Sequence, residues 1–259
     1  MNVGSIMNVR SQFKLIDKKV LITGAGQGLG RAFARAFAEA GADVAIVDID
    51  GNKAKEVSKE IINLGRRSFA VKADVSVYSD IYRMVEEVMT NWGRLDIAVN
   101  NAGTAQFKVA LEINEEDWDK IIDLNLRGTF FCCQAEAKAM LPNKYGKIIN
   151  IASICGHIVW PPSQAQASYN TSKAGLIHLT KNLAAEWIKY GIRVNSVSPG
   201  VTLTPGLTQK VVSVFVNKAP IGKTADIKDI QGAVLFLASE ESDFIVGNDI
   251  VIDGGYTLL

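Results

Sequence analysis

Short apolar runs alternate with segments of helical periodicity along almost the whole chain, and this alternation restricts the fold more than any other feature. Lys19–Thr23 and Val44–Asp48 are two such runs, and a segment with apolar residues at helical spacing separates them. Strand and helix units that repeat in this way predict a parallel sheet covered by helices on both faces. The sequence therefore predicts an α/β protein with one doubly wound sheet.

The remaining elements continue the same pattern to the end of the chain. Further strands are predicted at residues 68–73, 95–99, 147–151, 193–197 and 249–252, and helices at 31–38, 53–64, 78–92, 114–141, 168–190 and 226–238. Residues 1–16 have no clear pattern, so an N-terminal extension is predicted before a domain at 17–259. Residues 201–224 place prolines and glycines between apolar pieces, which predicts an adaptable lid.

Composition excludes several classes of protein. The formal charge is +1, from 28 basic and 27 acidic residues without a basic block, so no nucleic-acid partner is expected. Cys132, Cys133 and Cys155 have no metal-ligand spacing, and their odd number favours a reducing compartment, which predicts a cytoplasmic protein without a metal. Neither a signal segment nor an 18-residue apolar run is found, so no membrane partner is expected.

Tyr169 and Lys173 lie four residues apart at the start of a predicted helix. This spacing places the phenol and the ammonium on one face of the helix. Lowering a tyrosine pKa from about 10 to about 7 requires roughly 4 kcal/mol, and a nearby cation has the right sign to contribute to it. On spacing alone, an ordinary surface pair is the better interpretation.

Four stretches taken together resemble the short-chain dehydrogenase/reductase family. They are Thr23-Gly24-Ala25-Gly26-Gln27-Gly28-Leu29-Gly30, Asn100-Asn101-Ala102-Gly103, Asn150-Ile151-Ala152-Ser153 and Ser168-Tyr169-Asn170-Thr171-Ser172-Lys173. The resemblance covers about residues 17–256, with the motifs in the family's order and near its spacings. It implies a single-domain Rossmann-type fold and hydride transfer with a nicotinamide cofactor.

Glycines 24, 28 and 30 lie between a predicted strand and a predicted helix, where the backbone can turn sharply and approach a pyrophosphate. Asp48 ends the second strand, where a carboxylate can bind ribose hydroxyls and repel a 2′-phosphate. Gln27 adds no positive charge, so NAD is predicted as the cofactor in preference to NADP. The alternative for Asp48 is a cap on the following loop.

The resemblance implies a larger cofactor site. Asp74 and Val75 are expected beside the adenine, and Asn101 is expected to line the cofactor and stabilise the central strands. Thr204 matches a threonine near the nicotinamide amide, although turn capping explains it equally well. The complete expected set is Gly24, Gln27, Gly28, Leu29, Gly30, Asp48, Asp74, Val75, Asn101, Ala102, Gly103, Tyr169, Lys173, Pro199, Gly200, Thr202 and Thr204.

The resemblance also implies the catalytic residues. Tyr169 is expected to be the general acid/base, and Lys173 to hold the nicotinamide ribose and lower the phenol's pKa. Ser153 is expected to stabilise charge on the substrate oxygen. Asn125 matches an asparagine of a proton relay, and a helix-kinking role is the alternative. The family commonly has serine where this chain has Ala152.

The separation of Ser153 from Tyr169 is a few residues longer than usual in the family, and residues 156–166 fill it. This insertion resembles that of sugar-alcohol and ketose reductases. We expect it to form a substrate wall, with Ser153, His157, Gln164 and Tyr169 as the substrate-binding residues. Ser163 and Gln166 are further candidates, and all the polar groups of the insertion could instead face solvent.

These observations predict an NAD-dependent oxidoreductase that interconverts a secondary alcohol, of the polyol class or a related hydroxy compound, with its ketone. A 3-oxoacyl-carrier-protein reductase would have the same fold and catalytic residues. A non-catalytic NAD-binding sensor is a third alternative. By resemblance, and from the apolar end at Leu258 and Leu259, the protein is expected to form a homotetramer or a homodimer.

Overall fold

The computed structural model describes residues 13–204 and 207–259, where seven strands form one parallel sheet. The predicted fold class is therefore confirmed. Most of the expected extension 1–16, together with Pro205 and Gly206 of the expected lid, lies outside the described residues. The strand order is β3-β2-β1-β4-β5-β6-β7. The strands are β1 (Lys19–Thr23), β2 (Asp43–Asp48), β3 (Ser68–Lys72), β4 (Ile97–Asn100), β5 (Gly146–Ile151), β6 (Ile192–Pro199) and β7 (Asp249–Ile252).

Helices cover both faces of the sheet, because each crossover between parallel strands is helical. They are α1 (Gly28–Glu39), α2 (Gly51–Asn63), α3 (Tyr78–Trp92), α4 (Glu115–Ile122), α5 (Thr129–Met140), α6 (Ala167–Trp187), α7 (Gln209–Lys218) and α8 (Ile227–Ala238). The apolar sides of α1, α2 and α8 pack on one face of the sheet. Those of α3, α5 and α6 pack on the other face.

The predicted single helix at 114–141 is wrong in one respect, because a π-helical segment, Asp123–Gly128, separates α4 from α5. Its wider turn directs Asn125 into the protein, where the side chain is fully buried. Gly128 packs closely against Val75, in the connection between β3 and α3. A Cβ at position 128 would lie 2.3 Å from the Val75 carbonyl oxygen. Apolar periodicity continues through the segment, which is why the sequence pattern did not reveal it.

A polar network lies buried between the sheet and α5. Asn100 donates from Nδ2 to Glu136 Oε2 (3.0 Å) and to Asn150 Oδ1 (3.1 Å), and Asn150 donates to Thr180 Oγ1 (3.0 Å). Glu136 is fully buried, and burial raises the pKa of its carboxyl to about 8. Glu136 is therefore mostly protonated at neutral pH, which avoids an unpaired buried charge.

Residues 201–224 contain a helix that the sequence pattern did not predict. Thr208 caps α7 by accepting a hydrogen bond from Val211 N, and Val211 and Phe215 are buried beneath the helix. None of the helices within residues 13–204 and 207–259 combines the length and apolar character needed to cross a lipid bilayer.

Candidate active site

Two connected cavities open at the carboxyl ends of the central strands, where ligands bind in open α/β sheets. The first, of about 610 Å³, follows the glycine-rich turn between β1 and α1. The second, of about 430 Å³, lies beyond the ends of β5 and β6. Leu29, Asn101, Gly103 and Thr204 line both cavities, so these residues form the passage between them.

The glycine-rich turn is held against β4 by Asn101. The Asn101 side chain donates from Nδ2 to the carbonyl oxygens of Thr23 (3.1 Å) and Gly24 (3.0 Å). A Cβ on Gly30 would lie 2.3 Å from the Gly24 oxygen, so only glycine allows this contact. α1 begins within this turn, and the first N–H groups of a helix suit a diphosphate.

Asp48 lies at the edge of the first cavity. Its carboxylate accepts hydrogen bonds from Gly26 N (2.8 Å) and Asp50 N (2.9 Å). Lys53 lies close by and donates to Gln27 Oε1 (2.9 Å). The cofactor prediction rests on Asp48 and Gln27 and does not include Lys53. The position of Lys53 in the first turn of α2, close after Asp48, was the signal for it. The Asp48 carboxylate at this edge of the cavity therefore has an ammonium close to it.

The structure divides the expected cofactor residues between the two cavities. Tyr169, Lys173, Pro199, Gly200, Thr202 and Thr204 line the second cavity. Gly30 lines neither cavity and instead packs beneath the turn. The first cavity is lined by Gly24, Gln27, Gly28, Leu29, Asp48, Asp74, Val75, Asn101, Ala102, Gly103 and Thr204.

Ser153, Tyr169 and Lys173 meet in the wall of the second cavity. Ser153 follows β5, and its Oγ accepts a hydrogen bond from Cys155 N (3.1 Å). Lys173 donates from Nζ to the Ile151 carbonyl oxygen (2.7 Å) and lies 5.7 Å from the centroid of the Tyr169 ring. The expected sharing of one helix face by Tyr169 and Lys173 is present in the first two turns of α6.

The electrostatics of this pair differ from the sequence-based expectation. Burial raises the pKa of the Tyr169 phenol above its ordinary value, and the Ser153 hydroxyl opposes that shift only in part. Burial also lowers the pKa of Lys173 to about 8. Lys173 is not among the causes of the Tyr169 shift, so burial rather than the neighbouring ammonium sets the direction of the phenol's pKa in this arrangement.

Asn125 binds the segment that follows β4. Its Oδ1 accepts from Thr104 N (2.9 Å), and its Nδ2 donates to the Thr104 carbonyl oxygen (2.8 Å) and to Ser172 Oγ (3.1 Å). Both ends of the amide are thus occupied. This geometry favours the structural alternative for the Asn125 side chain.

The structure does not bring all the expected substrate-binding residues to the second cavity. His157 Nε2 contacts Asp249 Oδ2 (2.7 Å), and this carboxylate also accepts hydrogen bonds from Ser196 and Ser198. His157 and Gln164 line neither cavity, because short 3₁₀ turns at Ile154–Gly156 and Pro162–Gln164 direct them elsewhere. Ser153, Tyr169 and Gln166 do line the second cavity.

Some lining residues were predicted only as parts of longer segments. Trp160, which is only 6% exposed, comes from the insertion that was expected to form a substrate wall. Four more come from the expected lid, namely Val201, Leu207, Thr208 and Val211. The lining residues that had no sequence prediction as site residues are Thr104, Ala105, Phe107, Ile151, Ala152, Ile154 and Cys155. The far wall of the second cavity is therefore mainly apolar.

Lys173 is the only charged side chain among the described residues that line the second cavity. No group of three His, Cys, Asp or Glu side chains within residues 13–204 and 207–259 is arranged to hold a metal ion. The polar groups available to a bound molecule are the hydroxyls of Ser153, Tyr169 and the lining threonines, together with the Gln166 amide.

Comparisons with known proteins agree with this architecture. A family model described as enoyl-(acyl carrier protein) reductase matches residues 24–257. A 3-oxoacyl-[acyl-carrier-protein] reductase of Staphylococcus aureus is 38% identical over 243 residues, which are 92% of this chain and 97% of the relative. An NADP-dependent mannitol dehydrogenase of Hypocrea jecorina is 36% identical over 252 residues, which are 95% of this chain and 94% of the relative.

A solved structure has the same fold over nearly its whole length. It is a short-chain type dehydrogenase/reductase from Mycobacterium marinum, which is 39% identical and superposes with a TM-score of 0.91. The match covers 95% of this chain and 98% of that structure.

Proposed function

The chain belongs to the short-chain dehydrogenase/reductase family and is an oxidoreductase of the CH–OH group, and from this premise we propose that it interconverts an uncharged secondary alcohol and its ketone with NAD(H). The proposed substrate is a polyol or a related hydroxy compound. The observation that carries the proposal is the meeting of Ser153, Tyr169 and Lys173 in the wall of the second cavity, next to the passage from the first.

The residues of the first cavity fit a dinucleotide. The glycine-rich turn is proposed to offer backbone N–H groups to the pyrophosphate, and Asp48, which lines the same cavity, is proposed to bind the adenosine ribose. When bound, the nicotinamide ring supplies or accepts the hydride. Protein groups must then handle the proton of the alcohol.

Tyr169 is proposed as the general acid/base. During ketone reduction its phenol, protonated at neutral pH because burial raises its pKa, gives a proton to the developing alkoxide. Ser153 donates a hydrogen bond to the same oxygen. Lys173 is proposed to hold the nicotinamide ribose. Asn125 is proposed to fix the Thr104 segment beside the passage.

NAD is proposed in preference to NADP because the Asp48 carboxylate would repel a 2′-phosphate. Lys53, which donates to Gln27 Oε1, reduces that repulsion without removing it. The mannitol dehydrogenase relative is NADP-dependent by name, so the cofactor preference must be measured.

The charge of the second cavity supports an uncharged substrate. A carboxylate substrate would require a cation, and the only lining cation, Lys173, already donates to the Ile151 carbonyl oxygen. Hydroxyl groups could bind Gln166, Thr104 and Thr208, while the apolar wall packs against carbon atoms. The acyl-carrier-protein reductase remains the second candidate, supported by the relative of that name.

An absorbance assay of reduced nicotinamide tests the proposal. NAD and NADP would each be offered with polyols, simple secondary alcohols and 3-hydroxyacyl thioesters. Turnover of a polyol or simple alcohol with NAD is expected. A preference for thioesters with NADP would replace the proposal with the acyl reductase, and cofactor binding without any turnover would favour the NAD-binding sensor.

The assembly and location are also proposals. A homotetramer or homodimer is supported by exposed apolar side chains near the edge strand β7, among them Phe244, Val251, Leu258 and Leu259. Light scattering that gives a monomer mass at micromolar concentration would contradict it. A cytoplasmic location is supported by three buried free cysteines, which suit a reducing compartment.

A further inference from the structure

Tyr256 is buried although it lies only three residues from the end of the chain. The turn that places it is fixed by Asp253, whose carboxylate accepts hydrogen bonds from Gly255 N (2.9 Å) and Thr257 N (2.7 Å). Gly255 has a φ of +86°, a conformation that favours glycine. The terminal turn therefore directs one aromatic ring into the protein.

The Tyr256 ring stacks with two aromatic side chains from distant segments. One is Phe215 of α7, with the ring planes 2° apart and the centroids separated by 5.0 Å. The other is Trp160 of the insertion, with the planes 25° apart and the centroids separated by 5.6 Å. We call these three rings the aromatic stack. It joins the C-terminal turn, α7 and the insertion.

The aromatic stack reaches the second cavity through Trp160. The Trp160 indole lines the cavity and donates from Nε1 to Cys155 Sγ (2.9 Å), and Cys155 also lines the cavity. Cys155 follows Ser153 by two residues, and Ser153 Oγ accepts from Cys155 N. Displacement of Trp160 would therefore change the wall opposite the catalytic groups.

We propose that Tyr256 is a positioning residue, which fixes Trp160 and α7 as the apolar wall of the substrate cavity without touching the substrate. Tyr256 itself does not line the cavity. The kinetic part of this inference rests on the proposed function, because it concerns the substrate of that same site.

The Tyr256 hydroxyl is buried and has no hydrogen-bond partner in the described residues. The ring, rather than the hydroxyl, must then carry the role. Tyr256→Phe should therefore preserve the wall, whereas Tyr256→Ala and Tyr256→Leu should loosen it. Val159→Ala is the matched control, because Val159 precedes Trp160 and is 84% exposed.

Steady-state kinetics and cofactor titration by protein fluorescence form the first test. We expect Tyr256→Leu and Tyr256→Ala to raise KM for the substrate by about tenfold with kcat changed less than about threefold, because the loss is of binding rather than of chemistry. The Kd for NAD should stay within about twofold, since the first cavity is built by other residues. An unchanged KM in both variants would overturn the proposal. A parallel loss of NAD affinity would also overturn it.

The second readout does not require turnover. Cys155 accepts a hydrogen bond from Trp160 and lines the second cavity. Cys132 and Cys133 are instead buried residues of α5 in the hydrophobic core. A soluble thiol reagent should label Cys155 about fivefold faster in Tyr256→Leu than in wild type or Val159→Ala, because local opening controls such access. Equal labelling rates would refute the positioning role. A faster rate in an enzyme without measurable turnover would retain it and reject only the proposed reaction.

Discussion

The two connected cavities are built in different ways. The first depends on backbone, in a glycine-rich turn that Asn101 fastens to the end of β4. The second is formed by residues from several separate segments, among them the 154–166 region, α6 and α7. A backbone site depends on a few glycines at fixed spacing, whereas a side-chain site depends on packing between distant parts of the chain.

The largest effect should come from Tyr169→Phe, which separates chemistry in the second cavity from binding in the first. We expect kcat to fall by about 10²–10⁴-fold, the usual contribution of a general acid/base. Cofactor affinity should change little, since Tyr169 does not line the first cavity. Stopped-flow absorbance and NAD titration would measure the two quantities. Retained turnover would contradict the acid/base assignment.

Gly30→Ala should weaken cofactor binding in the first cavity and leave the shape of the second cavity unchanged. The added Cβ would lie 2.3 Å from the Gly24 oxygen, so the turn must move. We expect Kd for NAD to rise about 100-fold, which corresponds to about 2.7 kcal/mol of lost binding.

Gly232→Ala is the matched control for this change. Gly232 also lies in a helix, α8, but a Cβ there would meet no atom within 4 Å. This variant should bind NAD normally and gain up to about 1 kcal/mol of stability from helix propensity. Equal affinities of the two variants would show that the glycine-rich turn does not hold the cofactor.

Asp48→Asn should alter which cofactor the first cavity prefers. Removal of the carboxylate leaves Lys53 as the nearby charge, so the NADP-to-NAD ratio of kcat/KM should rise about tenfold or more. Glu56→Gln is the control, because Glu56 is an exposed carboxylate of α2 that does not line this cavity. An unchanged ratio would favour the loop-capping alternative for Asp48.

The last effect concerns stability rather than activity and involves the buried network of Asn100, Glu136 and Asn150. Glu136 has a pKa of about 8 in the folded protein and an ordinary value of 4.5, so folding retains a proton that the unfolded chain releases between these pH values. The free energy of unfolding should therefore fall as pH rises through this window, by at most about 1.4 kcal/mol per pH unit. Glu136→Gln should lack that slope.

Urea unfolding of wild type and Glu136→Gln at several pH values between 5 and 8 would measure this difference. The stability of the glutamine variant relative to wild type should increase with pH. Parallel curves would mean that Glu136 does not retain its proton. Kd for NAD at each pH would show whether the network affects the first cavity at all.

The contrast between the cavities also explains what the sequence could predict. The sheet follows from the alternation of apolar and helical segments, and the first cavity follows from glycines 24, 28 and 30, whose effect is local. The wall of the second cavity was predicted poorly. His157 was expected at the substrate but contacts Asp249, which is 92 residues away in the chain.

The π-helical segment was invisible for a related reason. Its extra residue changes the direction of every side chain beyond it, but apolar residues continue at close spacing on both sides, so the shift leaves no gap in the pattern. The raised pKa of Tyr169 was also missed, because helical spacing to Lys173 gives the sign of an attraction and contains no measure of burial.

The π-helical segment has a consequence for the length of the chain. Deleting one residue between 123 and 128 would restore an ordinary α-helix and rotate α5 relative to α4 by about 100°. Either Asn125 or the buried face of α5 would then point the wrong way. Insertions and deletions between residues 123 and 128 should therefore be far less tolerated than substitutions of the exposed side chains there. In this segment, the number of residues is a stricter requirement than their identity.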